Sequence, residues 1–129
     1  MPKEFISYSF YEHMVEELIR KIEGSDILES LKYVYGIPRG GLPIAVHLSH
    51  YFELKLMVTE PYESMETLVV DDIADTGVTL LKYRDNFRAT ATLYYKKRSV
   101  VKPRFYVYET NKWVVFPWEK EDEIPNRPE

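Results

Sequence analysis

Thr67-Leu68-Val69-Val70 is an unbroken apolar, β-branched run that ends on two adjacent carboxylates, Asp71 and Asp72. Such a run suits a strand buried on both faces, and that demands cover on each side of a sheet. Asp75, Thr76, Gly77, Val78 and Thr79 follow at once, with Asp71 to Gly77 predicted as a loop and Val78 to Phe87 as a helix. Ligands of open α/β sheets bind at the carboxyl ends of strands, which is where this loop falls. The free N–H groups of a helix start, with the Thr76 and Thr79 hydroxyls, form an anion cradle suited to a phosphate. Gly77 lets the backbone approach phosphate oxygens closely. If strand geometry persists, Asp71 and Asp72 point to opposite faces and do not share one atom. Ribose hydroxyls, direct or through a hydrated Mg²⁺, are partners they could hold. One aspartate at a strand end is ordinary turn or cap chemistry; the whole series is far more specific.

The rest of the chain alternates helix and strand. Ser7 to Ile22 is predicted as an amphipathic helix, with Phe10, Met14, Leu18 and Ile22 at four-residue spacing. Ser7 or Ser9 can cap its start and Gly24 can end it. Lys32 to Ile37 is a β-rich run broken by Pro38-Arg39-Gly40-Gly41, and Pro43 to Phe52 reads as a helix with proline near its first turn. Leu54 to Thr59, Ala91 to Tyr95 and Phe105 to Tyr108 are further strands. The expected class is α/β, a mostly parallel twisted sheet flanked by helices.

At 129 residues the chain is expected to form a single domain, 1–129, with residues 119–129 an acidic, mobile tail. It has no cysteine, which excludes disulfides, Cys–zinc sites and thiol nucleophiles. No apolar run approaches the ~20 residues of a membrane span. Met1 to Phe5 carries a charge pair and no apolar leader, so a soluble, cytoplasmic protein is expected. Charge is uneven. Residues 82–112 hold 9 basic and 2 acidic side chains, a net of +7, within a chain of net charge -4. A solvated surface is the ordinary meaning of such a block; attraction of a small anion is the functional one, and nucleic acid is not expected. His13, His47 and His50 are expected at surface or helix-packing positions.

The Leu68–Leu80 segment closely resembles the signature of type I phosphoribosyltransferases for PRPP, 5-phosphoribosyl 1-pyrophosphate: a hydrophobic strand, two acids, then an Asp/Thr/Gly-rich phosphate loop. Neither a G-x-x-x-x-G-K-[ST] nor a G-x-G-x-x-G motif is present. The resemblance implies the fold of that family in a minimal version. It makes Asp75 to Thr79 the 5′-phosphate loop. It has Asp71 and Asp72 on the ribose and on Mg²⁺, mainly through water. Asp75 becomes the candidate for handling the purine N7 proton, with a purely structural role as the alternative. Pro38-Arg39-Gly40-Gly41 is similar to the family's pyrophosphate loop, with Arg39 supplying charge. A cis peptide bond that 6-oxopurine members carry there falls at Pro38–Arg39.

The C-terminal part resembles xanthine/guanine phosphoribosyltransferases. Lys96, at a strand end, would donate to the purine 6-oxo group, with Lys97 as its competitor. Trp113 would stack on the ring, ahead of an aromatic Pro117-Trp118-Glu119 segment in which Glu119 is a further base-site candidate. For Phe116 and Trp118, core packing is an equal alternative. A flat aromatic face and one cationic donor suit an oxopurine better than adenine. The implied reaction is transfer of phosphoribosyl from PRPP to guanine, xanthine or hypoxanthine. Its products are nucleoside monophosphate and pyrophosphate, as in purine salvage, made by a homodimer or tetramer. One departure stands out. Only Thr59 to Glu66, with Glu60, Glu63 and Glu66, joins two strands where the family has a long mobile lid. That keeps a second expectation open, a non-catalytic PRPP- or nucleotide-binding regulator on the same fold.

Overall fold

A computed structural model describes residues 2–120; most of the expected tail, 121–129, lies outside the described residues. Five strands form one all-parallel sheet: Tyr33–Gly36 (β2), Lys55–Met57 (β3), Ser64–Ala74 (β4), Phe87–Tyr95 (β5) and Tyr108–Glu109 (β6), in the order β3-β2-β4-β5-β6. The first strand, Lys3–Phe5 (β1), instead pairs in parallel with the last, Trp113–Val115 (β7), matching Lys3 to Trp113 and Phe5 to Val115.

The long helices form where the apolar spacing places them. The first, Tyr8–Glu23 (α1), is capped by the Ser7 hydroxyl, which accepts from the Phe10 N–H at 3.1 Å, and ends at Gly24. Its buried stripe is Tyr11, Met14, Val15, Leu18 and Ile22, so Phe10 is rotated to the edge. The second, Gly41–Phe52 (α2), buries Ile44, Ala45 and Leu48. Both helices share one hydrophobic cluster with Val34, Leu68, Val70 and Ala91 of the sheet. Leu18 has no solvent exposure. Leu18→Ala should therefore lower unfolding stability by about 2–5 kcal/mol, read from the midpoint of urea denaturation.

The other side of the sheet is covered by a second cluster, Tyr35, Val69, Ala74, Leu80, Tyr83, Phe87, Tyr95 and Val101. Here the structure corrects two expectations. The helix predicted over Val78 to Phe87 is one turn, Val78–Leu81 (α3), followed by turns at 82–86. Tyr83 and Phe87 pack edge-on, 5.2 Å between ring centres, which helps bend the chain back into β5. Strand β4 also runs on through Asp71, Asp72, Ile73 and Ala74, where a loop was expected. The ladder with β5 explains this, since Asp71 pairs with Thr92 and Ala74 with Tyr95. The strand expected at Phe105 to Tyr108 survives as a bridge from Phe105 to Ala91 and the two-residue β6. Among the described residues no helix is long and apolar enough to cross a membrane.

Candidate functional site

The site sits at the carboxyl ends of β2, β4 and β5. Asp71 and Asp72 are both nearly solvent-free, and the Asp72 N–H donates to Asp71 Oδ1 at 2.8 Å. The two carboxylates serve different neighbourhoods. Asp72 lies under the 38–41 turn: a Cβ at Gly40 would stand 2.1 Å from Asp72 Oδ2. A Cβ at Gly41 would stand 2.3 Å from the Val70 carbonyl oxygen, so the glycine pair lets the turn settle onto the strand end. The Ile37 N–H donates to the Val70 carbonyl at 2.9 Å and holds it there. The peptide bond between Pro38 and Arg39 is cis, and the Arg39 side chain is on the exposed side of the turn.

Asp71 instead lines a narrow cleft, with an enclosed volume of only about 10 Å³, together with Asp75, Thr76, Gly77 and Thr79. Gly77 has φ 84°, a left-handed conformation that a side chain disfavours. Thr79 Oγ1 is buried without a hydrogen-bond partner among the described residues. Burying a hydroxyl unpaired is costly, so a ligand acceptor in this cleft would satisfy it. The single turn of α3 adds few aligned peptide dipoles, so an anion here would rely mainly on the loop's own amides and hydroxyls.

The segment after β5, of which sequence reasoning singled out only Lys96 and Lys97, clasps this loop. The Lys96 N–H donates to the Ala74 carbonyl at 2.9 Å and the Val100 N–H to the Thr76 carbonyl at 2.7 Å. A Cβ on Gly77 would meet Ser99 Oγ at 2.3 Å and the Val100 and Val101 nitrogens at 2.8 Å. From the same segment Lys96 Nζ reaches Asp75 Oδ1 at 3.3 Å, and Arg98 donates to that oxygen through Nε at 2.8 Å and through Nη2. Asp75 and Lys96 are buried, while the Arg98 side chain is 55% exposed. Lys97, by contrast, is exposed, with its Nζ 3.6 Å from Glu109. The signal for Arg98 was the run Lys96-Lys97-Arg98 at a strand end, inside the basic block.

The base-binding candidates are less tightly gathered. The Thr110 N–H donates to the Tyr95 carbonyl at 3.0 Å, laying this segment beside the end of β5. A cleft of about 160 Å³ there is lined by Lys96, Lys97, Arg98, Thr110 and Asn111; half-buried Trp113 follows on β7 but does not line it. The Glu119 carboxylate accepts from the Phe116 N–H at 2.9 Å, closing a turn. Phe116 stacks on Trp118 at 5.3 Å, and Tyr11 meets Trp118 edge-on at 5.0 Å, which makes both residues part of the packing under α1.

Among the described residues no group of three or more histidine, aspartate or glutamate side chains forms a metal cage. Mg²⁺ keeps its waters and takes one or two carboxylates plus phosphate oxygens, and the adjacent buried carboxylates of Asp71 and Asp72 are a donor set of that chemistry. Asp71 and Asp72 are the residues that would hold such waters. The connection between β3 and β4, residues 58–63, is short and tied down. Lys82 Nζ sits 2.7 Å from Glu60 Oε1, and the Tyr83 hydroxyl donates to the same carboxylate. Lys82, then Tyr83, hold the Glu60 carboxyl below its ordinary range, and burial with the Glu60 bond pushes the Tyr83 hydroxyl up. Glu60→Ala should speed amide hydrogen exchange in 58–63 and 82–86. Because the ion pair is largely exposed, it should cost at most about 1 kcal/mol of stability.

No family model matches the sequence, and no curated protein matches it significantly. Solved structures do. A purine phosphoribosyltransferase from Pyrococcus horikoshii is 27% identical, with TM-score 0.77 over 98% of this chain and 100% of that one. Xanthine-guanine-hypoxanthine phosphoribosyltransferase from Helicobacter pylori is 20% identical, with TM-score 0.72 over 90% and 91%. A hypothetical protein from Neisseria gonorrhoeae with bound ppGpp is 20% identical, with TM-score 0.68 over 94% and 91%. Orotate and adenine phosphoribosyltransferases share the architecture at TM-scores of 0.60 and 0.54.

Proposed function

We propose that this chain, which has the fold of the type I phosphoribosyltransferases, transfers 5-phosphoribosyl from PRPP to a 6-oxopurine. The supporting observation is the division of labour between its two strand-end acids. Asp72 lies under the glycine turn and Asp71 lines the Thr76–Thr79 cleft, so carboxylates reach toward both ends of a molecule with phosphate at each end. The 5′-phosphate would take the loop amides and the unpartnered Thr79 hydroxyl. The pyrophosphate would take the 38–41 turn and the Arg39 charge. Mg²⁺, with its waters on Asp71 and Asp72, would neutralise pyrophosphate charge. A purine nitrogen displaces pyrophosphate at the ribose C1, forming one C–N bond as one C–O bond breaks. Asp75 takes the N7 proton. The protein works by positioning and by field rather than by covalent chemistry.

Lys96 as a buried cationic donor supports a 6-oxo acceptor on the base, with Trp113 as the stacking face and Glu119 supporting the segment. The same proposal has a homodimer or tetramer acting in the cytoplasm in purine salvage, with exposed Val58, Tyr62 and Met65 near the short connection as contact candidates. A second reading has its own support. Six residues pinned through Glu60 offer little lid, which favours a non-catalytic nucleotide-binding regulator. Competition for PRPP by a panel of monophosphates tests the base choice. GMP, IMP or XMP should compete at least about tenfold better than AMP or orotidine monophosphate, the scale set by pairing or stranding a buried polar group. Equal competition by all five would overturn the 6-oxopurine assignment.

A further inference from the structure

We propose that Arg98 is a positioning residue that frees Lys96 to engage the base. The inference rests on the proposed role of Lys96 and concerns how that role becomes possible. Asp75 is buried, and its Oδ1 is shared by two cations of different standing. Lys96 is as buried as its partner and 3.3 Å away. Arg98 comes from the surface, half exposed, and its Nε donates to the same oxygen at 2.8 Å.

A buried ion pair resists losing one member, because the charge left behind is stranded away from water. With Lys96 as its only cation, Asp75 would hold the ammonium back from a purine oxygen. Arg98 removes that obstacle. Its planar fork keeps the carboxylate paired while the flexible lysine stem turns. Lys97 cannot replace it, since it points toward Glu109 on the surface. Arg98 is also fixed to the loop it serves, because the neighbouring Val100 N–H is bonded to the Thr76 carbonyl.

The experiment is titration calorimetry of IMP and of PRPP with Mg²⁺, on the full chain. It compares wild type, Arg98→Ala, Arg98→Lys, and both alanine and arginine at position 98 in an Asp75→Asn background. Arg98→Ala should weaken IMP about tenfold and leave PRPP within about twofold, since the site keeps its phosphate loop. Arg98→Lys, a cation without the planar fork, should restore only part of the IMP affinity. With Asp75→Asn there is no carboxylate to strand, so Arg98→Ala should then cost IMP nothing. Equal weakening of IMP and PRPP would mean that Arg98 contacts the shared phosphate or only supports the fold, and would overturn the proposal. So would an alanine effect that persists with Asp75→Asn. If wild type binds PRPP but not IMP, the base assignment itself fails, and that result is distinct from either of these.

Discussion

Changing Asp71 and Asp72 together to asparagine should weaken PRPP binding by at least about a hundredfold. Each carboxylate is nearly solvent-free, so its hydrogen bonds to ribose or to metal-bound water form in a site of low polarisability. A hydrogen bond to a charged group contributes roughly 1.5–3 kcal/mol, and two of them reach that range. Asparagine keeps the shape, which separates lost charge from lost packing. The single variants should differ. Asp72→Asn lies under the turn at Gly40 and should weaken free pyrophosphate more; Asp71→Asn lines the loop cleft and should weaken ribose 5-phosphate more. Calorimetry with each ligand reads this, with circular dichroism confirming a folded chain. Unchanged PRPP binding in the double variant would remove both acids from the site.

Gly77→Val should nearly abolish binding of any 5′-phosphate. The residue sits at φ 84°, a region costing a side-chain-bearing residue about 1–2 kcal/mol, more for a β-branched one. The added Cβ would also overlap Ser99 Oγ and the backbone nitrogens of Val100 and Val101. Backbone cannot step aside as a flexible side chain can, so the loop and the 96–101 clasp must separate. PRPP and IMP should lose affinity together, by at least about a hundredfold, whereas pyrophosphate, proposed to bind at the 38–41 turn, should bind within about twofold of wild type. Retained IMP affinity would show that the Thr76–Thr79 loop is not the phosphate cradle.

Much of the site was legible because its parts are local. A strand, two acids and a threonine–glycine loop are contiguous, and each has a backbone reason for its residue types. The turn at 38–41 was legible for the same reason, whereas the cis bond at Pro38–Arg39 was expected only from the family resemblance. What escaped was tertiary. The basic run Lys96-Lys97-Arg98 marked a charged strand end but not the partner of Arg98, which is Asp75, 23 positions earlier. The helix over Val78 to Phe87 failed because Phe87 already begins β5, in register with Ser64, while Tyr83 is drawn to Glu60 on the connection between β3 and β4. Strand β4 outran its expected end because β5 kept its backbone paired past the first aspartate, out to Ala74, after the ladder with β2 had ended at Val70. The short connection was visible as a count of residues, but its anchoring through Glu60 to Lys82 and Tyr83 was not.

That anchoring sharpens the choice between an enzyme and a binding protein, and product formation decides it. Purified protein should be given PRPP, Mg²⁺ and, in turn, guanine, hypoxanthine and xanthine, with nucleoside monophosphate and pyrophosphate both quantified. A phosphoribosyltransferase yields the two in equal amounts with at least one base, and loses both with Asp71→Asn/Asp72→Asn. Measurable PRPP binding with no product from any of the three bases would contradict catalysis of 6-oxopurine transfer and leave the regulator in its place.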